Sequence, residues 1–381
     1  MAYEIQDKIS VLISFNGKEF PFDRVNTFGH LHISSSCKLA VPMLTLALTD
    51  NISFLSTNGS LADGSKISIK IRSSSESTQS DVFEFRLNSF VSNITPTGRS
   101  YTIDAYLDVV NYWHSSSTTS FLGSSYDCLA NLATNCNLTF KGDYTSDTQR
   151  WICRNLPNFE WARQIAERGY RSETSCMQLA LTASKQLLYR DITTLSAPTT
   201  KISLIQDQAG FITATDYAPV TSSGSSNHMS GYFSKLIKQN SSVAPYNSSL
   251  SKVNLTNTSA KRSLQVNADI HNGLNSGNTR FSPINVGNVH DTFEDARYQN
   301  RRIGALYSAK VSVLLKDRSG LDPLDPVSLY ADINSYENVY SGDYVVISKA
   351  VVIRGSDYVE KLEIARKEMN QSQPTSVSNQ G

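Results

Sequence analysis

The stretch from Phe121 to Leu195 constrains this chain most. It packs two short helical patterns, three apolar strand patterns and two of the three tryptophans into one unit, and it contains no recognisable catalytic set. The segments on both sides read as long β-strands. A mixed α/β module without chemistry, carried on a mostly β chain, points to an assembly part rather than an enzyme.

Inside the module, Ser124 or Ser125 caps a helix that buries Leu129, Leu132 and Ala133 and ends at Asn135. A short strand, Leu138–Phe140, precedes a polar link over Gly142–Thr148. Trp151 and Ile152 lead through Asn155-Leu156-Pro157-Asn158 into a second helix with a stripe of Phe159, Ala162, Ile165 and Ala166. Gly169 stands where a left-handed C-cap is wanted. A hairpin closes the unit: Ser175–Thr182, with Met177, Leu179 and Leu181 on one face, a turn at Ala183-Ser184, then Gln186–Ile192.

Before the module, Asn16-Gly17 separates Ile9–Phe15 from Glu19–Phe22 and supplies the positive φ angles of a tight hairpin. In Lys38–Leu48, Pro42 argues for an edge position or a bulge. Ile67, Ile69 and Ile71 alternate with Ser68, Lys70 and Arg72. Val82–Val91 and Tyr101–Leu107 follow, separated by Pro96-Thr97-Gly98, with Tyr101, Ile103, Ala105 and Leu107 on one face. Residues 1 to about 111 thus read as an antiparallel sheet or small barrel. Beyond Pro198 come strands at Lys201–Leu204, Phe211–Tyr217 and Leu264–Ile270, and polar Ser/Asn-rich loops at Thr221–His228 and Gln239–Ser251. Asp291 with Glu294 resembles a capping box opening a helix over Thr292–Leu306. Tyr307–Leu315, Val327–Ala331 and Tyr344–Ile353 are strong strands, and the last is apolar enough to be buried on both faces, either inside a domain or against a neighbouring subunit. Tyr358–Arg366 fits a strand or a helix by pattern alone. The polar stretch Lys367–Gly381 reads as a tail. Two β-rich lobes around one α/β insert hint at an internal duplication.

Length and composition agree with this outline. The 381 residues allow two or three domains. Charged residues make up 18%, below the roughly 25% usual in soluble domains, and Ser, Thr and Asn take their place. Net charge is +1, with Lys and Arg scattered among acids, which argues against a tightly held nucleic acid. Five cysteines (Cys37, Cys128, Cys136, Cys153, Cys176) form no CxxC pair and read as buried, reduced thiols, consistent with folding in a reducing cytoplasm. The N-terminus lacks a basic signal region, and no run approaches the ~20 apolar residues of a membrane helix, so no membrane anchor is expected.

A search for chemistry yields only weak constellations. His30 and His32 alternate on a strand, but a third metal ligand at fixed spacing is missing. Ser225, Ser226 and His228 lie in a polar loop without an orienting carboxylate. Glu160 and Glu167 sit seven apart on one helix, where a solvated face explains them better than a glycosidase pair. Asp322, Asp325 and Asp332 do not match a calcium loop, and the two Asp-Pro steps read as turn starters. Trp151, Trp161 and Tyr170 fit a core better than a stacking platform. No P-loop, Gly-x-Gly-x-x-Gly, Gly-x-Ser-x-Gly or His-Glu-x-x-His is present. The sequence therefore predicts no catalytic, metal or cofactor site and no enzyme activity.

The order of features resembles a known family. Thr145-Ser146-Asp147 and Arg150-Trp151, then Asn158-Phe159-Glu160-Trp161-Ala162-Arg163-Gln164-Ile165-Ala166-Glu167-Arg168-Gly169-Tyr170 and the closing hairpin, are similar to the insert of phage-tail baseplate hub proteins and the related hub region of type VI secretion spike proteins. So are Gln299-Asn300-Arg301-Arg302, the Leu321–Pro323 turn, Ser341-Gly342-Asp343-Tyr344-Val345-Val346-Ile347 and Tyr358–Arg366, which the resemblance reads as a strand.

The resemblance implies an α+β, mostly β chain with two tail-tube-type antiparallel β-barrel domains, at 1–111 and 199–366. It places an α/β insert at 112–198 and a polar tail at 367–381. It implies a homotrimeric ring of pseudo-sixfold symmetry in the virion tail baseplate. Its partners would be a tail spike protein, a tail tube or tube-initiator protein and other baseplate proteins. The chain stops soon after the second lobe, where secretion-system spikes continue, and this favours a hub whose spike is separate. The competing readings are a glycan-binding β-sandwich tail protein and a tail-associated cell-wall hydrolase using Glu160 or Glu167.

Overall fold

Alternation of apolar and polar residues builds the first half of the protein. The computed structural model describes residues 3–5, 9–22, 27–57, 61–73, 80–95, 98–172, 175–195, 200–206, 212–214, 222–225, 241–247, 252–253, 256–258, 280–284, 307, 309–315, 318–332, 342–355 and 357–366. Strand β1 (Tyr3–Ile5) pairs with β2 (Ile9–Phe15), whose Ile9, Val11, Ile13 and Phe15 are all buried. Asn16 and Gly17, at φ 49° and 82°, turn the chain into β3 (Lys18–Glu19). Phe20 and Phe22 leave the ladder but fold back into the core, edge to face with ring centroids 4.9 Å apart.

Next come β4 (Phe28–Ser36), β5 (Met43–Asp50), the single turn α1 (Phe54–Thr57), β6 (Lys66–Ser73), β7 (Ser80–Thr95) and β8 (Gly98–Leu107). They pair antiparallel in the order β2-β6-β7-β8-β5-β4. Ile67, Ile69 and Ile71 of β6, and Tyr101, Ile103, Ala105 and Leu107 of β8, point into one core as their period of two requires. Each such large side chain contributes about 1.5–3 kcal/mol by leaving water. Pro42 is neither at an edge nor in a bulge. It immediately precedes β5, a strand paired on both sides, and its carbonyl accepts from Leu107 N–H, so its missing donor costs the ladder nothing.

The α/β module packs onto the same core. It comprises α2 (Val110–Trp113), β9 (Ser116–Gly123), α3 (Ser125–Asn135), β10 (Thr139–Gly142), β11 (Gln149–Pro157), α4 (Asn158–Arg168), β12 (Met177–Leu181) and β13 (Gln186–Asp191). Ser124 caps α3 in a capping box with Asp127. Helix α4 buries Trp161, Ala162, Ile165 and Ala166, while Phe159 is half-buried and stacks on Trp113 with centroids 4.5 Å apart.

Gly169 departs from the expected left-handed cap: its φ and ψ of −64° and 144° are extended. Its small size is needed for a different reason. A Cβ there would lie 1.7 Å from the Tyr189 hydroxyl and 2.8 Å from Ser125 Oγ. The hairpin β12–β13, extended by the parallel strand β10, is buried on both faces. Met177, Leu181, Leu187 and Tyr189 join the core of the first half, and Leu179 is packed against it. Cys176, Ala180, Leu188 and Ile192 join Tyr307, Leu324, Ile347 and Ala365.

The second half contains β14 (Lys201–Gln206), β15 (Ile212–Ala214), β16 (Ser222–Ser225), β17 (Ser241–Asn247), β18 (Lys252–Val253), β19 (Thr256–Thr258), β20 (Arg280–Ile284), β21 (Ala309–Leu315), β22 (Pro326–Asp332), β23 (Gly342–Arg354) and β24 (Asp357–Arg366). Two stretches read as loops therefore carry strands: β16 pairs with β21, and β17 pairs with β18, β19 and β20. Backbone pairing is available to Ser- and Asn-rich segments whenever a neighbouring strand offers an edge, whatever their low propensity. The expected strand Leu264–Ile270 and helix Thr292–Leu306 lie outside the described residues.

Strands β23 and β24 run through both halves. From Val345 to Arg354, β23 pairs with β24. On its other side, Val345 to Gly342 pairs with β22, and Ser348 to Arg354 pairs with β4, from Ser36 to His30. A bulge between Val346 and Ser348 marks the change. Before it the even positions Tyr344 and Val346 are buried in the second half's core, and after it the odd positions Val351 and Ile353 are buried in the first half's core. Ile347, at the bulge, belongs to the third cluster. The run Tyr344–Ile353 is nearly all apolar because one strand serves three cores in two phases. The result is a curled 15-stranded sheet in an α+β, mostly β protein, and β24 settles Tyr358–Arg366 as a strand.

A buried carboxylate pins this junction. Glu360, 2% exposed, accepts from Ser319 N–H at 2.9 Å, Ser319 Oγ at 2.5 Å and Tyr358 Oη at 2.8 Å, with Lys349 Nζ at 3.3 Å. Replacing the buried Glu360 by alanine leaves the half-buried Lys349 without its counter-charge and Ser319 and Tyr358 without their acceptor, and chemical denaturation should read a loss of about 3 to 5 kcal/mol. Glu360→Gln, which keeps the acceptor oxygen, should lose less. Equal stability of wild type and Glu360→Ala would show that the junction does not depend on this group.

Candidate functional site

Three buried carboxylates are occupied with holding the chain together. Asp147, fully buried, accepts from Ser125 N–H at 2.8 Å and Tyr170 N–H at 2.6 Å, joining the 143–148 segment to the start of α3 and the end of α4. Asp191, also fully buried, accepts from Cys176 N–H, Thr193 N–H and Thr193 Oγ1. Asp50 accepts from Phe54 and Leu55 N–H at the start of α1. Tyr189 sits beside Asp147, and burial holds its hydroxyl far above its ordinary range.

The residues considered for chemistry do not converge. Glu160 lies in the first turn of α4, and Glu167 pairs with Arg163 at 3.3 Å on the exposed side of the helix. His30 and His32 share one face of β4, but Arg354 is the register partner of His30. Burial lowers His32 below its ordinary value, helped by His30, Arg354 and Lys361. A metal cation at that place would meet the same positive field. Asp325 accepts from Asp322 N–H and pairs with Arg190 at 3.0 Å, a turn bound to the insert. Ser225 lies in β16, and Ser226 and His228 lie outside the described residues. Among the described residues no three His, Cys, Asp or Glu side chains come together to hold a metal. Trp151 and Trp161 are buried, and Trp151 donates to the Gly123 carbonyl at 2.9 Å.

Exposed apolar groups form the contrasting feature. In β7, every residue from Asn88 to Ile94 is exposed, beyond a bulge between Leu87 and Ser89. Phe90, Val91 and Ile94 are 41%, 62% and 81% accessible, so the β7–β8 hairpin ends in an apolar arm. A second feature is the ribbon of β9 and β11, which among the described strands pair only with each other. Leu122 and Ile152 are exposed on its outer face, where Arg150 stands opposite Leu122. A third is aromatic: Tyr126 lies 4.3 Å from the largely exposed Tyr144 and 5.2 Å from Phe140, measured between ring centroids. Sequence reading missed these surfaces. The signal for the arm was Phe90 next to Val91, an adjacent apolar pair that breaks a strand's alternation.

The fold can be set beside known structures. The tail protein from Neisseria meningitidis MC58 is similar with a TM-score of 0.57 and 9% identity, over 96% of this chain and 98% of that one. The 43 kDa tail protein of prophage MuSo2 from Shewanella oneidensis is similar with a TM-score of 0.53 and 12% identity, over 94% and 96%. The chain has a phage tail-protein fold. That is the fold expected from the resemblance in the insert and the C-terminal strands. No family model matches the sequence, and no curated relative does.

The thiols give a direct check on the packing of this tail-protein fold. Cys128, Cys136, Cys153 and Cys176 are buried, Cys37 is partly so, and none of the five is in a disulfide. Burial pushes Cys128 up to about 12 and Cys136 up to about 11, and it raises Cys37 and Cys153. Since the thiolate is the nucleophile, the native protein at pH 8 should react with a disulfide reagent slowly, Cys37 first, and all five should titrate at once in denaturant. Rapid native labelling of Cys128 or Cys136 would contradict the packing.

Proposed function

We propose that this chain is a structural, non-enzymatic baseplate hub of a tailed, contractile phage. Three copies close a ring that adapts the sixfold tail tube to a threefold central spike. Each copy contributes two tube-type antiparallel β-barrels, residues 1–111 and 199–366, with the α/β insert at 112–198 and a polar tail at 367–381. The ring's partners are the spike protein, the tail tube or tube-initiator protein and other baseplate proteins. It needs no cofactor, metal, specific nucleic-acid binding or membrane anchor. It is folded and assembled in the host cytoplasm and ends in the virion tail baseplate.

The observation that carries this reading is agreement in fold with two tail proteins from end to end, rather than over one module. Two properties of the chain add support. Its two halves share one continuous sheet, which suits a part that transmits load. Its exposed apolar arm at Phe90, Val91 and Ile94 suits burial between subunits, since obligate interfaces are large and apolar. Native mass measurement of the purified protein tests the proposal: the expected species is a trimer, alone or with a co-expressed spike. A monomer at high concentration in both conditions would overturn it.

The Tyr126–Tyr144 pair favours a second reading, a tail protein that binds a host-surface glycan on exposed aromatic rings. Saturable binding of cell-wall oligosaccharides, abolished by Tyr144→Ala, would support that function. Unchanged calorimetric titrations at millimolar sugar would remove it.

A further inference from the structure

Beside the β9–β11 ribbon lies a cleft that none of these functions uses. It opens between β11 and α4, and Arg150, Ile152 and Arg154 from the strand face Trp161, Ile165 and Arg168 from the helix. Trp161, Ile165 and Arg168 are four and three residues apart, so they form one stripe along α4. Arg150, Ile152 and Arg154 alternate on the outer face of β11.

Three properties define what fits. First, three guanidinium groups line the cleft and no acidic residue does. Arg150 and Arg154 have no ion-pair partner among the described residues, and both are exposed. Second, apolar groups share the lining with the polar ones, Ile152 being the exposed one, and the exposed Leu122 beside Arg150 continues that apolar surface onto the ribbon. Third, its volume is about 160 Å³, well below the roughly 300 Å³ at which small-molecule sites begin. A space of that size takes a single side chain, not a whole ligand. Arginine forks arrayed around such a space match carboxylates bidentately.

We propose that this cleft is an anchor site for an acidic segment of a partner protein, which sets one apolar side chain against Ile152 and carboxylates on Arg150, Arg154 and Arg168. A long-range positive field at the rim would speed encounter, and the apolar anchor would hold the segment once docked. The inference does not depend on the hub reading and holds for a monomer or a trimer.

A fluorescein-labelled peptide with one leucine flanked on each side by two aspartates is the probe, followed by anisotropy against the intact protein. Binding should saturate and weaken at least tenfold between 50 and 500 mM salt, values chosen to shorten the Debye length severalfold. Arg150→Glu/Arg154→Glu should reduce affinity at least tenfold with an unchanged thermal midpoint, and Ile152→Ser should reduce it without changing the salt dependence. Exchanging the peptide's leucine for serine should also weaken binding. The proposal is overturned if the charge-reversed variant binds as wild type does. It is equally overturned if the serine peptide binds equally well, or if inorganic phosphate at millimolar concentration displaces the peptide completely, which would make the cleft an ion site only.

Discussion

The antiparallel ladder between β4 and β23 is the contact on which the two halves of this protein depend. Without it β4 would be an open edge, a row of unpaired donors and acceptors prone to wrong pairing. The first core would also lose Val351, Ile353 and Tyr358, which arrive only through this hairpin. The ladder joins residues more than 300 positions apart in sequence, from Ser36 with Ser348 to His30 with Arg354. Closing so long a loop has a large entropic cost, so this pairing must be rewarded by packing on several sides at once. The bulge at Val346 and Ser348 provides that reward. It shifts the phase of β23 so that one strand can face one core before the bulge and another after it, and Glu360 then satisfies the loop that crosses the seam.

Much of this was legible in the chain itself. Asn16-Gly17 specified its turn, the isoleucines of β6 and the alternation of β8 specified their faces, and Ser124 specified the start of α3. These signals are local, and each depends on a handful of neighbouring residues. What was not legible depended on tertiary partners. The C-cap assigned to Gly169 was wrong in conformation though right in requiring glycine, because the constraint comes from the Tyr189 hydroxyl 20 residues away. Pro42 read as an edge or bulge signal, yet a strand can be central when its proline stands just outside the ladder. The strands Ser222–Ser225 and Ser241–Asn247 carry no apolar alternation, and only their partners define them.

The insert shows how polar groups can specify a module without making it reactive. Asp147 and Asp191 each collect backbone donors from separate segments, so they fix the angle between α3, α4 and the β12–β13 hairpin. A carboxylate used this way is buried, with its oxygens engaged by the fold's own donors. Gly169 permits the Tyr189 hydroxyl to approach, and that hydroxyl lies 3.1 Å from Ser125 Oγ in the same network. Dense buried polarity, which in a cleft would suggest catalysis, here explains why a small α/β unit holds one shape between two β halves.

Interior and surface use their side chains in contrasting ways. Inside, the buried carboxylates Asp50, Asp147 and Asp191 accept from backbone donors. Outside, apolar side chains that would stabilise the monomer if buried are left in water on a hairpin arm and on a two-stranded ribbon. Isolated exposed apolar residues are ordinary, but Phe90, Val91 and Ile94 stand together on one projecting strand, and Leu122 and Ile152 stand among arginines. A chain that leaves these groups exposed while satisfying its interior gains most by burying them against another surface.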